Sequence, residues 1–171
     1  IMSDPATHED PFVRAELVLE LARACGANGM AGGQMMDLAA EGRELDLGAI
    51  TRLQQLKTGA LIEYCMEAAA IMGRVPPEGR ARYRGYARNI GLAFQIADDL
   101  IDHQGDEETA GKRLQKDADA GKATFVSLLG ADRAKQQAEL LVEQAIEHLH
   151  GHGAEADLLR AIARYTIERD R

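Results

Sequence analysis

The four prolines of the chain stand in two short segments, so the stretches between them are free to form long helices. Pro5 and Pro11 lie near the start, Pro76 and Pro77 lie in the middle, and no proline occurs elsewhere. A proline inside a helix removes a hydrogen bond and clashes with the preceding turn. Apolar residues recur at helical spacing between the prolines, which predicts an all-α chain. We expect a first helix from Pro11 and further helices at 49–73, 78–101, 123–129, 132–150 and 154–169.

The segment that follows the first predicted helix is rich in glycine. Its four glycines are Gly26, Gly29, Gly32 and Gly33. Glycine weakens or bends a helix, or lets another part of the protein approach the backbone closely. Residues 37–46 are polar, and we expect a turn region there. Near the other end of the chain, Asp132 stands where an N-cap belongs and Gly151 where a helix stop belongs.

The composition excludes several classes of protein. A length of 171 residues fits one domain with a buried core. The 20 basic and 28 acidic side chains give a net charge of −8, so we expect no nucleic-acid partner. No apolar run reaches 18 residues, so no transmembrane segment is predicted. Cys25 and Cys65 form no CxxC pair, which favours the cytoplasm.

A short segment rich in aspartate carries the most chemical information. Four polar side chains fall at i, i+3, i+4 and i+7 and share one face of a predicted helix: Gln95, Asp98, Asp99 and Asp102. Like charges at this spacing repel, and burying unpaired carboxylates is costly. A hard cation such as Mg²⁺ compensates them, because it prefers oxygen ligands. The alternative is a solvated acidic helix end with arginine partners, Arg88 being nearby.

The lysines favour the metal interpretation. The chain has only five lysines, and four of them lie in two segments that also contain glycine, one around Lys57 and one at 111–122. An ammonium group is a compact charge that suits phosphate oxygens. The polar loop after the acidic helix would bring Lys112, Lys122 and Asp117 over the carboxylates, which predicts a site for Mg²⁺ and a diphosphate. Taken singly, each lysine is better explained by a solvated surface, and only the set in this order favours the functional interpretation.

Together these segments resemble the trans-isoprenyl diphosphate synthases of the polyprenyl synthetase family, especially the bacterial farnesyl and geranylgeranyl diphosphate synthases. The resemblance covers nearly the whole chain and rests on motifs in the family's order: Gly32-Gly33-Gln34-Met-Met-Asp37, Lys57-Thr58-Gly59, Gly91-Leu-Ala-Phe94-Gln95-Ile-Ala-Asp98-Asp99-Leu-Ile-Asp102, Gly111-Lys112, Asp117 and Gly121-Lys122. It implies an all-α isoprenoid-synthase bundle around a deep cavity, usually in a homodimer. It also implies a trans-prenyltransferase that joins isopentenyl diphosphate to an allylic diphosphate (dimethylallyl or geranyl) with three Mg²⁺ ions.

The resemblance further implies roles for individual residues. The metal would be served by four aspartates, with Asp98 the principal ligand: Asp98, Asp99, Asp102 and Asp117. The allylic diphosphate would be held by three lysines: Lys57, Lys112 and Lys122. Three further side chains would lie beside the reacting groups, with Phe94 walling the homoallylic side: Thr58, Phe94 and Gln95. Two residues would shape and orient the cavity: Gln34 and Asp37.

The family's first aspartate-rich motif precedes all of these segments, yet Asp98-Asp99 is the only Asp-Asp pair in the chain. We therefore expect residues 1–171 to be the C-terminal half of a single isoprenoid-synthase domain, inactive alone. The full-length protein would make a short-chain product such as farnesyl diphosphate. Two alternatives stay open: a non-catalytic helical subunit of a prenyl synthase, and a terpene cyclase on the same fold. Terpene cyclases normally carry an Asn/Ser/Glu-type second motif, which this chain lacks.

Overall fold

The structure, a computed structural model, describes residues 1–104 and 123–169, and within them the chain is helical without β-strands. The α-helices are α1 (Pro11–Cys25), α2 (Met30–Ala39), α3 (Leu47–Gln54), α4 (Ala60–Met72), α5 (Ala81–Gln104), α6 (Phe125–Leu129), α7 (Ala131–His148) and α8 (Asp157–Glu168). A π-helical segment, Gln55–Gly59, joins α3 to α4, and short 3₁₀ turns, Pro77–Arg80 and Ala154–Ala156, precede α5 and α8. The all-α prediction is confirmed.

Side chains at the helix starts explain where α1 and α3 begin. Asp10 caps α1 by accepting a hydrogen bond from the amide of Phe12 at 2.9 Å, and Pro11 occupies the first helical position, as predicted. Asp46 caps α3 by accepting one from the amide of Ala49 at 2.7 Å. An N-cap of this kind contributes about 1 kcal/mol, because it satisfies an amide that has no partner within the helix.

The start of α7 differs from the prediction. Gly130 precedes this helix with φ +82°, and Asp132 lies in its first turn, so the prediction that Asp132 is the N-cap is wrong. The left-handed conformation of Gly130, which glycine adopts without strain, turns the chain sharply from α6 into α7. Asp132 still complements the positive end of the helix dipole. Gly151, with φ +93°, follows the end of α7, as expected of a helix stop.

Helix α2 lies where the sequence predicted weakened helix and turn. Met30–Ala39 is helical and includes Asp37, so the predicted turn at 37–46 begins three residues later than expected. A Cβ added to Gly33 would lie 2.6 Å from Lys57 Cα, so α2 crosses the π segment in backbone contact. This close packing compensates for the low helix propensity of glycine, which is a weak preference that tertiary contacts override.

Helix α5 is the central helix of the described bundle. It packs along α7 on one side and along α4 on the other. One apolar core lies among α3, α5, α6 and α7, where the largest fully buried side chains are Ile50, Ile96, Phe125 and Leu149. A second core joins α1 to α4 through Leu17 and Ile71. Each such side chain contributes about 1.5–3 kcal/mol when fully buried. None of the described helices is both long and apolar enough to cross a membrane.

A buried ionic network ties α1, α4 and α5 together. Arg80 Nη1 lies 2.6 Å from Glu16 Oε1 and 3.1 Å from Glu67 Oε1, and Arg84 Nη1 lies 3.0 Å from Glu67 Oε2. The side chains of Arg80 and Glu67 are only 7% and 10% exposed. Hydrogen bonding to Glu16, and then to Glu67, raises the pKa of Arg80 in spite of its burial.

A second pair between α4 and α5 lies nearer the surface. Arg88 binds both carboxylate oxygens of Glu63, at 2.8 and 2.9 Å, and the Arg88 side chain is 61% exposed. The alternative interpretation of the sequence made Arg88 a partner of the aspartate-rich segment. In the structure Arg88 instead binds Glu63 of α4.

Glu67→Gln should lower the free energy of unfolding by about 3 kcal/mol, because removing one partner of a buried ion pair leaves the other charge uncompensated. Glu63→Gln is the matched control. It makes the same change one turn earlier on α4 in a more exposed pair, and it should cost less than about 1 kcal/mol. Urea unfolding of both variants measures the difference, and equal losses would contradict the structural role assigned to the buried network.

Candidate active site

A cavity of about 310 Å³ brings together side chains from α2, the π segment and α5. Five residues predicted from the sequence to serve the site line it: Lys57, Thr58, Gln95, Asp98 and Asp99. These residues are up to 42 positions apart in the chain (99 − 57), so the fold has assembled them. The structure brings the two segments to one cavity, whereas the chemical roles of the individual residues stay predictions.

The π segment carries the first part of the site. The helix that begins at Leu47 and ends at Met72 contains one wider turn at Gln55–Gly59, and Lys57 and Thr58 stand within it. A π turn accommodates one residue more than an α-turn and often marks a functional site. Here both residues line the cavity. The sequence analysis predicted a continuous helix over this region and missed the wider turn.

Two glycine crossings bring the neighbouring helices onto the π segment. Gly33 of α2 lies against the backbone of Lys57, and a Cβ on Gly91 of α5 would stand 3.2 Å from Gly59 Cα. Residues four positions apart share one face of a helix. Asp37 follows Gly33 by four residues, and Gln95 follows Gly91 by four, so each crossing delivers a polar side chain to the cavity one turn later.

Asp37 holds the ammonium group of Lys57. The Lys57 Nζ and Asp37 Oδ2 atoms are 2.8 Å apart, and the Asp37 side chain is 14% exposed against 35% for Lys57. The carboxylate therefore orients a cation that still reaches the open cavity. The Lys57 side of this pair is the more exposed one, so an incoming anion has access to the ammonium group from the cavity. This contact fits the orienting role that the resemblance implied for Asp37.

The three aspartates of α5 have different surroundings. Asp98 lines the cavity, is 39% exposed, and accepts a hydrogen bond from Arg169 Nη2 at 3.2 Å. Asp99 also lines it, but its Oδ2 accepts from the amide of Phe125 at 2.7 Å, at the first turn of α6. Asp102 lies one helical turn beyond Asp98, outside the cavity lining. Of the three, Asp98 has the surroundings best suited to a ligand.

The acidic side chains fit a hard cation in kind, although they do not close a complete site. Within the described residues, no three His, Cys, Asp or Glu side chains converge to hold a metal ion. Mg²⁺ is usually bound by one or two carboxylates together with phosphate oxygens and water, so Asp98 with its neighbours could supply the protein's part of such a site. Three predicted members of the site lie outside the described residues: Lys112, Asp117 and Lys122.

Two other predicted residues lie outside the cavity lining. The Phe94 ring sits under the guanidinium of Arg169, with 4.2 Å between Arg169 Cζ and the ring centroid. Its assignment to the homoallylic wall stays a prediction. Gln34 is exposed and is likewise not part of the lining, whereas Asp37, from the same motif, is.

The structure adds three residues that the sequence analysis did not assign to the site. Gln54 lines the cavity, and its Oε1 is buried without a hydrogen-bond partner among the described residues. Its position one turn before Lys57 and Thr58 was a usable signal. Arg43 is exposed in the lining, in a segment interpreted only as a turn. Arg169 reaches Asp98 from 71 positions away, a contact that no spacing rule indicates.

Comparison with known proteins gives consistent results. The sequence profile described as "Polyprenyl synthetase" matches residues 13–164. Farnesyl diphosphate synthase of Escherichia coli is 39% identical over 166 residues, which cover 92% of this chain and 54% of that protein. The chain thus spans about half the length of the curated relatives it matches.

Solved structures agree with the profile. An FPP/GFPP synthase from Zymomonas mobilis in its apo form is 56% identical, with a TM-score of 0.85 over 96% of this chain and 55% of that one. A geranyltransferase from Helicobacter pylori, complexed with magnesium and isoprenyl diphosphate, is 29% identical, with a TM-score of 0.77 over 93% of this chain and 52% of that one.

Gly33→Ala should lower the free energy of unfolding by about 2–3 kcal/mol and separate Asp37 from Lys57, because the new methyl group meets backbone that cannot rotate away. Gly48→Ala is the control. It makes the same change on α3, where the nearest atom would lie at 3.4 Å, and should be neutral or stabilise by up to about 1 kcal/mol. Urea unfolding compares them, and a Gly33→Ala protein as stable as the control would disprove the close crossing.

Proposed function

The chain belongs to the polyprenyl synthetase family, and we propose that the complete protein is an Mg²⁺-dependent trans-prenyltransferase. It condenses isopentenyl diphosphate with an allylic diphosphate to give a short-chain prenyl diphosphate such as farnesyl diphosphate. The observation that carries this proposal is the cavity in which Lys57, Gln95 and Asp98 converge from two helical elements. A cation for phosphate, a neutral dipole and a metal-binding carboxylate are the groups that ionisation of an allylic diphosphate requires.

Asp98 is the carboxylate that would hold the metal, with Asp102 and Asp117 acting on it or on its waters. Bound Mg²⁺ supplies positive charge that stabilises the departing diphosphate. The magnesium and isoprenyl diphosphate of the Helicobacter pylori geranyltransferase support this assignment. Asp99 remains a predicted member of the set, although one of its oxygens already accepts a backbone hydrogen bond. The number of three ions likewise remains a prediction from the resemblance.

Lys57 would bind the allylic diphosphate directly. Its ammonium group is held by Asp37 at the edge of the cavity, so it is oriented before the substrate arrives. Negative charge on the diphosphate increases as the carbon–oxygen bond breaks, and a preoriented cation then stabilises the transition state more than the ground state. Lys112 and Lys122 would bind further oxygens of the same diphosphate.

The reacting carbons would lie beside Thr58 and Gln95. Each side chain carries an oxygen that is the negative end of a neutral dipole and can point toward the allylic cation. Because the dipole has no net charge, it stabilises the cation without trapping it. Ile50 and Leu53, which are 2% and 4% exposed, form an apolar part of the same wall. Such a wall excludes water, which would otherwise capture the cation.

The relatives favour this function over the two alternatives left open by the sequence. The curated relatives matched over 92% of this chain are named farnesyl diphosphate synthases, which argues for an enzyme and for chain elongation. Because the chain spans about half of their length, the activity is proposed for the complete protein. A homodimeric state and a cytoplasmic location remain predictions, the first from the resemblance and the second from the cysteine pattern.

The proposal is tested with the complete gene product, isopentenyl diphosphate, Mg²⁺ and each of dimethylallyl, geranyl and farnesyl diphosphate, by measuring released diphosphate and the prenyl products. Asp98→Asn should lower kcat by about 100-fold or more, because it removes a charge that acts on the transition state through the metal. A wild-type protein that is inactive with all three allylic partners would refute the proposed function.

Asp132→Asn is the matched control for this variant. It removes the same charge from an exposed position in the first turn of α7 and should leave kcat within about twofold of wild type, as expected of a surface change outside the cavity lining. Unchanged turnover in Asp98→Asn, with the protein folded, would overturn the metal assignment while leaving the reaction itself intact.

A further inference from the structure

Arg169, directly after α8, packs beside Asp98, the candidate metal ligand, and contacts several groups of the fold. Its Nη2 lies 3.2 Å from Asp98 Oδ1, and its guanidinium carbon lies 4.2 Å from the centre of the Phe94 ring. Its Nε donates to the Thr166 carbonyl at 3.3 Å. The side chain is only 13% exposed, against 39% for Asp98. The guanidinium is therefore held through its flat face by Phe94 and through its edge by hydrogen bonds, and Asp98 is more open to solvent than Arg169.

We propose that Arg169 is a positioning residue that serves as the internal counter-ion of Asp98, and that a metal ion must displace it in order to bind there. The inference rests on the part of the proposed function that assigns a divalent cation to Asp98. It goes further in two respects. Arg169 neutralises the Asp98 carboxylate before the cation arrives, and the cation then takes the place of Arg169.

The geometry makes the two cations competitors. Mg²⁺ binds carboxylate oxygens at about 2.1 Å and holds its other ligands in a tight octahedron. A guanidinium nitrogen 3.2 Å from Asp98 Oδ1 occupies space next to this oxygen that the other ligands of a bound metal would need, and two positive charges beside one carboxylate repel. Binding of the metal and seating of Arg169 are therefore coupled, and thermodynamic reciprocity requires each to weaken the other by the same factor.

The anchoring of Arg169 explains how the exchange can be reversible. Phe94 and Asp98 are four residues apart on α5, so the ring and the carboxylate lie on one face and contact the same guanidinium. When the carboxylate is taken by a metal, the ring face and the Thr166 carbonyl remain as partners. The arginine thus needs to move only far enough to leave Asp98, and it is close enough to return when the metal departs.

The opposite wall of the cavity carries the complementary pair. Lys57 is neutralised by Asp37 just as Asp98 is neutralised by Arg169. A metal–diphosphate complex contains both a cation and an anion, so it can replace Arg169 on one wall and Asp37 on the other. After the exchange Asp98 pairs with the metal and Lys57 pairs with the diphosphate, so neither of these two groups is left without an opposite charge, which is the costly outcome.

The test uses the complete protein and Mn²⁺ alone as the probe, with affinity measured by calorimetry or by electron paramagnetic resonance. Arg169→Gln should bind Mn²⁺ about two- to fivefold more tightly than wild type, the gain expected when a partly exposed ion pair no longer competes. Arg169→Lys keeps the competing charge and should stay near wild type. Arg164→Gln removes the same charge from an exposed position on α8 and should leave the affinity unchanged.

A second measurement needs no variant. Hydrogen exchange at the end of α8, from Thr166 to Arg169, should accelerate when Mn²⁺ and inorganic pyrophosphate are added to the wild-type protein, because one of the contacts that fasten this end to α5 is lost. Mn²⁺ affinity in Arg169→Gln equal to or weaker than wild type, or unchanged exchange in a protein that binds Mn²⁺, would overturn the inference.

The outcomes also separate this inference from the proposed function. Turnover by the wild-type protein together with equal Mn²⁺ affinities in wild type and Arg169→Gln would overturn the inference and leave the function standing. A wild-type protein with neither Mn²⁺ binding nor turnover would overturn both. Tighter binding in Arg169→Gln, with unchanged binding in Arg164→Gln, would support the inference whatever the product of the reaction proves to be.

Discussion

The site depends on the backbone contact that glycine permits at the π segment. Gly33 lets α2 reach the backbone of Lys57, and Gly91 lets α5 reach Gly59 from the other direction. Side chains at these crossings would separate the helices, because backbone packed against backbone has no rotamer with which to yield. The make-up of the cavity therefore depends on the absence of side chains at Gly33 and Gly91. Because the helices touch there, Asp37 and Gln95, one helical turn further along the chain, line the cavity.

The ion pairs of the described structure differ in how deeply they are buried. The Glu67–Arg80 pair is deeply buried and has several partners, so it acts as part of the structure. The Lys57–Asp37 and Asp98–Arg169 pairs border a cavity and are more open to solvent. Partial exposure lowers the cost of exchanging a partner, which a binding site requires and a structural network must avoid. Burial thus separates the ions that hold the fold from those available to a ligand.

Local patterns predicted much of the helical layout and several of the residues that line the cavity, and they failed where long-range packing decides the outcome. Spacing along α5 identified Asp98 and Asp99, and the rarity of lysine identified Lys57. The helix at Met30–Ala39 was missed because glycine's intrinsic preference opposes it, and only its contact with the π segment reverses that preference. Arg169 was missed because the docking of α8 against α5 has no signature in the sequence near either residue.

The wider turn at Gln55–Gly59 has a consequence for the register of the whole helix. Successive residues of an α-helix are about 100° apart around the axis. One additional residue in this turn therefore changes the direction in which the side chains of α4 point relative to those of α3. Ile50, before the turn, is buried in the core around α5, and Tyr64, after it, is buried against α1. Removing a single residue between them would preserve the helix but rotate one of these two faces into solvent. The burial of these two faces thus constrains the length of this segment independently of the side chains that it carries.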